Sequence, residues 1–80
     1  MYPRIKKIHV EDNYILTVTF ENDIIKKYDF KPMLDRPEFN NLKDKILFSS
    51  VKVDVGGYGI IWNDELDLSE YELWVNGENI

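Results

Sequence analysis

The sequence predicts an α+β fold: a small antiparallel β-meander and hairpin with two short helices, in the order β-β-β-α-β-β-α. Three observations predict it. Residues 14–20, Y-I-L-T-V-T-F, alternate apolar and polar positions in β-branched and aromatic residue types, which suits a half-buried strand. Gly56-Gly57-Tyr58-Gly59 separates two extended apolar segments, as a hairpin turn does. Ser69-Glu70-Tyr71-Glu72 places a capping serine three residues ahead of a glutamate and so opens a helix.

The elements follow in order. Residues 4–10 read R-I-K-K-I-H-V, with Ile8 and Val10 on one face and His9 on the other, directed to solvent. Asp12-Asn13 is a turn signal. In the next strand Tyr14, Leu16, Val18 and Phe20 face one way. Glu21-Asn22-Asp23 is a tight connection whose Asn and Asp tolerate left-handed backbone. Residues 24–30 pair back as a third strand. A helix is expected to start at Pro32-Met33-Leu34 and to stay short because Pro37 interrupts it; Leu34, Phe39 and Leu42 are its sheet-facing residues. Extended chain resumes at Lys45, with Val51, Val53 and Val55 alternating against Lys52 and Asp54. Ile60-Ile61-Trp62 forms the returning strand, broken at Asn63-Asp64-Glu65, and Leu66 and Leu68 flank Asp67. The final helix carries Leu73 and Trp74, ends on Gly77 as a left-handed cap, and is followed by fraying residues. Leu16, Val18, Phe20, Val53, Ile61 and Trp62 are expected in or near the core.

Eighty residues suffice for a single domain, 1–80. With 44% hydrophobic residues and 14% aromatics the chain is too apolar for disorder. It has no cysteine. That excludes a thiolate nucleophile, a thiolate zinc site and an iron–sulfur cluster, and fits a cytoplasmic location. No apolar run approaches the roughly 20 residues that cross a bilayer, and no signal-peptide core opens the chain. The net charge of −5, from 15 acidic and 10 basic residues, is the wrong sign for direct nucleic-acid binding and better suits a basic protein partner. The pairs Lys6-Lys7 and Lys26-Lys27 sit in strands, where neighbours split to opposite faces.

The search for chemistry returns no catalytic, cofactor-binding or metal-binding set, and no cofactor is expected. His9 is the single histidine and has no nucleophile in context. Asp64, Glu65, Asp67, Glu70 and Glu72 form an acid-rich stretch without the glycine of a calcium loop; helix N-terminal dressing explains them, and a carboxylate pair for acid–base catalysis is the alternative. Gly56-Gly57-Tyr58-Gly59 lacks both phosphate-loop patterns. Tyr58, Trp62, Tyr71 and Trp74 crowd the C-terminal third, either as a core corner or as an interaction surface. Surplus aromatic area in so small a chain also leans towards a homodimer through that third.

The chain resembles a small bacterial family, the domain of unknown function 2442. The resemblance is carried by P-R-I-K-K-I-H-V, by L-T-V-T-F-E-N-D-I-I-K-K-Y-D-F with P-M-L after it, by F-N-N-L-K-D, and by V-K-V-D-V-G-G-Y-G-I-I-W-N-D-E-L-D-L-S-E-Y-E-L-W. The stretch I-I-W-N-D-E-L-D-L-S is the most specific part. Glu65 and Asp23 stand where members often carry glycine. The resemblance implies a stand-alone domain, or a unit ahead of a helix-turn-helix module. For short members it implies an operon partner of another small protein, an arrangement suggestive of toxin–antitoxin pairs. It supplies no catalytic residues. The functional expectation is a non-enzymatic protein-interaction or regulatory module, the partner of a small toxin-like protein encoded alongside. A small carboxylate-using enzyme and an accessory domain of a DNA-binding regulator are the alternatives.

Overall fold

In a computed structural model, which describes residues 2–79, residues 5–29 build the predicted meander. Strands β1 (Ile5–Glu11), β2 (Ile15–Phe20) and β3 (Ile25–Asp29) pair antiparallel, Val10 opposite Leu16 and Leu16 opposite Tyr28. Leu16, Val18 and Phe20 are fully buried, so the expected register of β2 holds. Both turns use left-handed non-glycine residues: Asn13 and Tyr14 in the first, Asp23 in the second. Asn and Asp adopt this conformation at lower cost than other side chains, because they can bond locally. Asp23 therefore closes its hairpin without glycine. Tyr14 is the exception, and its phenol anchors it by donating to the Lys43 carbonyl.

The segment between meander and hairpin is less regular than a single helix. It consists of two 3-10 stretches, Lys31–Asp35 and Pro37–Lys43, and one helical turn, α1 (Lys45–Phe48). Proline disfavours helical backbone in the residue before it, and Arg36 is extended, with ψ 138°. Leu34, Phe39 and Leu42 are buried as expected. The extended chain expected from Lys45 is corrected: Asp44 accepts a hydrogen bond from the Ile46 N–H at 2.9 Å and caps α1. An aspartate in this position satisfies an orphan helix donor.

The second sheet is β4 (Lys52–Val53), β5 (Gly59–Asn63) and β6 (Leu66–Ser69), antiparallel in that order. Here several expectations are corrected. β4 is only two residues long, and Val55 is 92% exposed in the turn that follows. Val53 is partly buried against the core. Ile60, not Ile61, is the buried isoleucine; it pairs with Val53 on one side and Leu68 on the other. Leu66–Ser69 is a strand, where the sequence marked only two leucines about an aspartate. Gly56 and Gly57 have φ of 85° and 77°, as their turn requires.

Helix α2 (Glu70–Asn76) starts as predicted, Ser69 Oγ accepting from the Glu72 N–H at 3.2 Å. Gly77 closes it in extended conformation, φ −77° and ψ 152°, not the left-handed one expected. Its glycine is needed for space: a Cβ would collide with the Leu73 carbonyl that caps the helix. The residues after it do not fray through Asn79. Strand β7 (Glu78–Asn79) adds to the meander beside Lys26 and Lys27, completing a sheet in the order β1-β2-β3-β7. The element order is thus β-β-β-α-β-β-β-α-β among the described residues, still α+β and antiparallel.

The two sheets meet over an aromatic cluster. The Phe30 ring lies 5.3 Å from Phe39, 5.4 Å from Phe48 and 5.3 Å from Trp62. The Trp62 indole N–H donates to the Phe48 carbonyl at 2.9 Å, so its polar group is satisfied within the core.

Candidate functional site

The four C-terminal aromatics separate into two kinds. Trp62 is buried in the aromatic cluster. Trp74, on α2, is half-buried; Phe20 meets its ring edge-on at 5.0 Å, and the Lys26 ammonium lies 4.1 Å from its centroid while donating to the Trp74 carbonyl at 2.6 Å. Tyr58 and Tyr71 are 54% and 50% exposed. These two are joined. The Tyr58 carbonyl accepts from the Glu70 N–H at 2.9 Å, which fixes the start of α2 against the hairpin turn. The Arg4 guanidinium lies 4.5 Å over the Tyr58 ring, and Tyr2, two residues away, packs edge-on to Tyr71 at 4.9 Å. Tyr2 is itself 40% exposed, and Val75, one turn on from Tyr71, is 49% exposed. The result is a set of three exposed tyrosines: Tyr2 and Tyr71 form one edge-on pair, and Tyr58, under Arg4, is tied by its carbonyl to the start of the helix that carries Tyr71. Sequence reading missed Tyr2 and Arg4, because they reach this face only through tertiary packing, Arg4 and Ile5 lying against the Gly57 turn.

Beside this strip, Glu70 Oε2 is withdrawn from solvent and accepts no hydrogen bond among the described residues. Such an atom is uncommon and costs desolvation without return. The other acids of the stretch are dispersed. Asp64 and Glu65 occupy the β5–β6 turn, where Asn63 Oδ1 accepts from the N–H groups of Glu65 at 2.9 Å and Leu66 at 3.1 Å. Asp67 lies on β6. Among the described residues no three His, Cys, Asp or Glu side chains converge to hold a metal ion. His9 is exposed, with Nε2 3.7 Å from Glu11. No helix among the described residues is long and apolar enough to cross a membrane.

A concave site lies elsewhere, where β7 ends and the edge of β3 continues. It is a cleft of about 610 Å³, with Ile15, Pro32 and Met33 along it and Glu72 and Asn76 of α2 across from them. Tyr28 is buried, and its hydroxyl donates to Glu72 Oε2 at 2.9 Å; Asn76 Nδ2 donates to the same oxygen at 2.8 Å. Glu72 therefore does not reach back to the Ser69 N–H as a full capping box would. Burial, then the hydrogen bond to Glu72 and its charge, push the Tyr28 phenol well above its ordinary value near 10. The folded state holds this proton more tightly than the unfolded chain. Its contribution to stability is thus complete below pH 10 and is lost as pH rises beyond it. In an alkaline titration followed by tyrosinate absorbance, one of the five tyrosines is expected to stay protonated until the fold is lost. Tyr28→Phe should remove that delayed step.

The model of the family described as "Protein of unknown function (DUF2442)" matches residues 5–79, from the first residue of β1 to the last of β7. No curated protein and no solved structure is significantly similar to the chain.

Proposed function

Given that the chain belongs to the DUF2442 family, we propose that it is a non-enzymatic protein-interaction module that docks a basic protein partner on the strip formed by Tyr2, Tyr58 and Tyr71. The observation that carries this reading is the strip itself: three exposed tyrosines, Tyr2 paired with Tyr71 and Tyr58 under Arg4, held together by the Tyr58–Glu70 backbone bond. Tyrosine is enriched at interfaces because it offers large, stiff contact area with a polar tip. The net charge of −5 favours a positively charged partner. The operon arrangement implied by the family resemblance makes the neighbouring-gene product, a small toxin-like protein, the partner of choice. We place the complex in a bacterial cytoplasm.

The test is co-purification of the chain with that neighbouring product. The double variant Tyr58→Ser/Tyr71→Ser changes two half-exposed rings and should keep the fold. It is expected to weaken the complex by about 2 kcal/mol or more, some thirtyfold in Kd. Undiminished affinity would remove the strip from consideration. Sedimentation equilibrium of the chain alone tests the homodimer by the same residues: the dimer, if it uses this strip, dissociates in the double variant.

A further inference from the structure

We propose that the cleft at the open edge of β3 binds an ammonium group carried on an aliphatic chain. The site uses residues other than those of the tyrosine strip and stands whether or not that strip docks a protein.

The argument begins with where the cleft comes from. β7 pairs with Lys26 and Lys27, so among the described residues the β3 edge at Tyr28 and Asp29 has no strand beside it. Helix α2, ending at Asn76, is too short to fill the gap. The opening of about 610 Å³ falls within the roughly 300–1,000 Å³ typical of small-molecule sites.

Its lining divides by chemistry. Ile15, Pro32 and Met33 supply an apolar wall suited to methylene groups. Asp29, Glu72 and Glu78 supply three carboxylates against one cation, Lys27. That cation stands directly cross-strand from Glu78 and is exposed to solvent, where its charge is screened. Asp29 has its own neighbour in Lys31, at 3.2 Å. Among the described residues neither Glu72 nor Glu78 has a cation within salt-bridge distance, and of the two Glu72 is the carboxylate whose position is fixed. Tyr28 and Asn76 both donate to Oε2, which orients the carboxylate and leaves Oε1 for a ligand. Two neutral donors on one oxygen favour the ionised acid without cancelling its charge. The Tyr28 oxygen, kept protonated, retains acceptor capacity beside it. An anion would meet three carboxylates and be repelled. An ammonium finds one pre-oriented carboxylate, a phenolic acceptor and an apolar channel for its chain.

The test is a titration of the full chain followed by 1H–15N amide shifts, with n-butylamine, Nα-acetyl-lysine N-methylamide and n-butanol as probes. Saturable shifts are expected around Tyr28, Met33, Glu72 and Asn76 with both amines and not with n-butanol. Tighter binding of the lysine amide assigns the natural group to a polypeptide side chain, and tighter binding of n-butylamine assigns it to a free amine. Glu72→Gln keeps an oxygen acceptor for Tyr28 and should weaken amine binding about tenfold. Lys27→Glu, at an exposed position, should strengthen it by about twofold or more, and this arm decides the matter should Glu72→Gln fail to fold. Shifts scattered over the surface, equal binding of n-butanol, or an affinity indifferent to both substitutions would overturn the proposal.

Discussion

Phe30→Ala is expected to cost about 3–5 kcal/mol of stability, most of what so small a domain possesses. Phe30 is fully buried and follows directly on β3. Its ring contacts Tyr28, Phe39, Phe48 and Trp62, which come from β3, the second 3-10 stretch, α1 and β5. Removing it opens a cavity where four elements meet, and none can collapse inward alone, because each is held by its own backbone bonding. Edge-to-face packing with Phe39, 80° between rings, adds a term beyond burial. Urea unfolding monitored by tryptophan fluorescence checks this. A loss below about 1.5 kcal/mol would mean that the cluster repacks freely.

Gly57→Ala is expected to be nearly as damaging, at roughly 3 kcal/mol. Gly57 has φ 77°, where an alanine is strained by about 1–2 kcal/mol. Space adds to this. A Cβ there would stand 2.5 Å from the Ile5 carbonyl oxygen, which belongs to β1 and cannot swing aside. The turn and the first strand must therefore separate. Gly56→Ala provides the control. Its φ of 85° carries similar strain, but its Cβ would meet only the ring of Tyr58, a side chain half in solvent that can rotate. The two substitutions should differ by about 1 kcal/mol or more in thermal or urea unfolding; equal effects would show that backbone strain alone matters at this turn.

Local patterns were legible where one residue type has one use. Alternation from Leu16 to Phe20 fixed which side chains enter the core, because a strand has period two and one face was apolar. Ser69 declared the start of α2, and the glycines at 56 and 57 declared a turn that other residues cannot make cheaply. The same logic failed at Ile60-Ile61, where two adjacent isoleucines offer no phase, and the pairing with Val53 and Leu68 made the choice. It failed at Lys45–Phe48 because one helical turn is too short to show a period, although Asp44 was there as its cap.

The sequence by itself determined the α+β class, the meander, the capped last helix, and the absence of cysteine chemistry. Tertiary structure decided everything that needs residues far apart in the chain. β7 exists because Glu78 and Asn79 find the edge of β3, some fifty residues earlier. The tyrosine strip exists because Tyr2 is carried to Tyr71, and the cleft because Tyr28 and Asn76 converge on Glu72. Local propensity has a range of a few residues, whereas these contacts depend on how two sheets and a helix settle on one shared aromatic core. Composition placed Tyr58, Trp62, Tyr71 and Trp74 close together in the chain, but only packing could send Trp62 inward and leave Tyr58 and Tyr71 facing out.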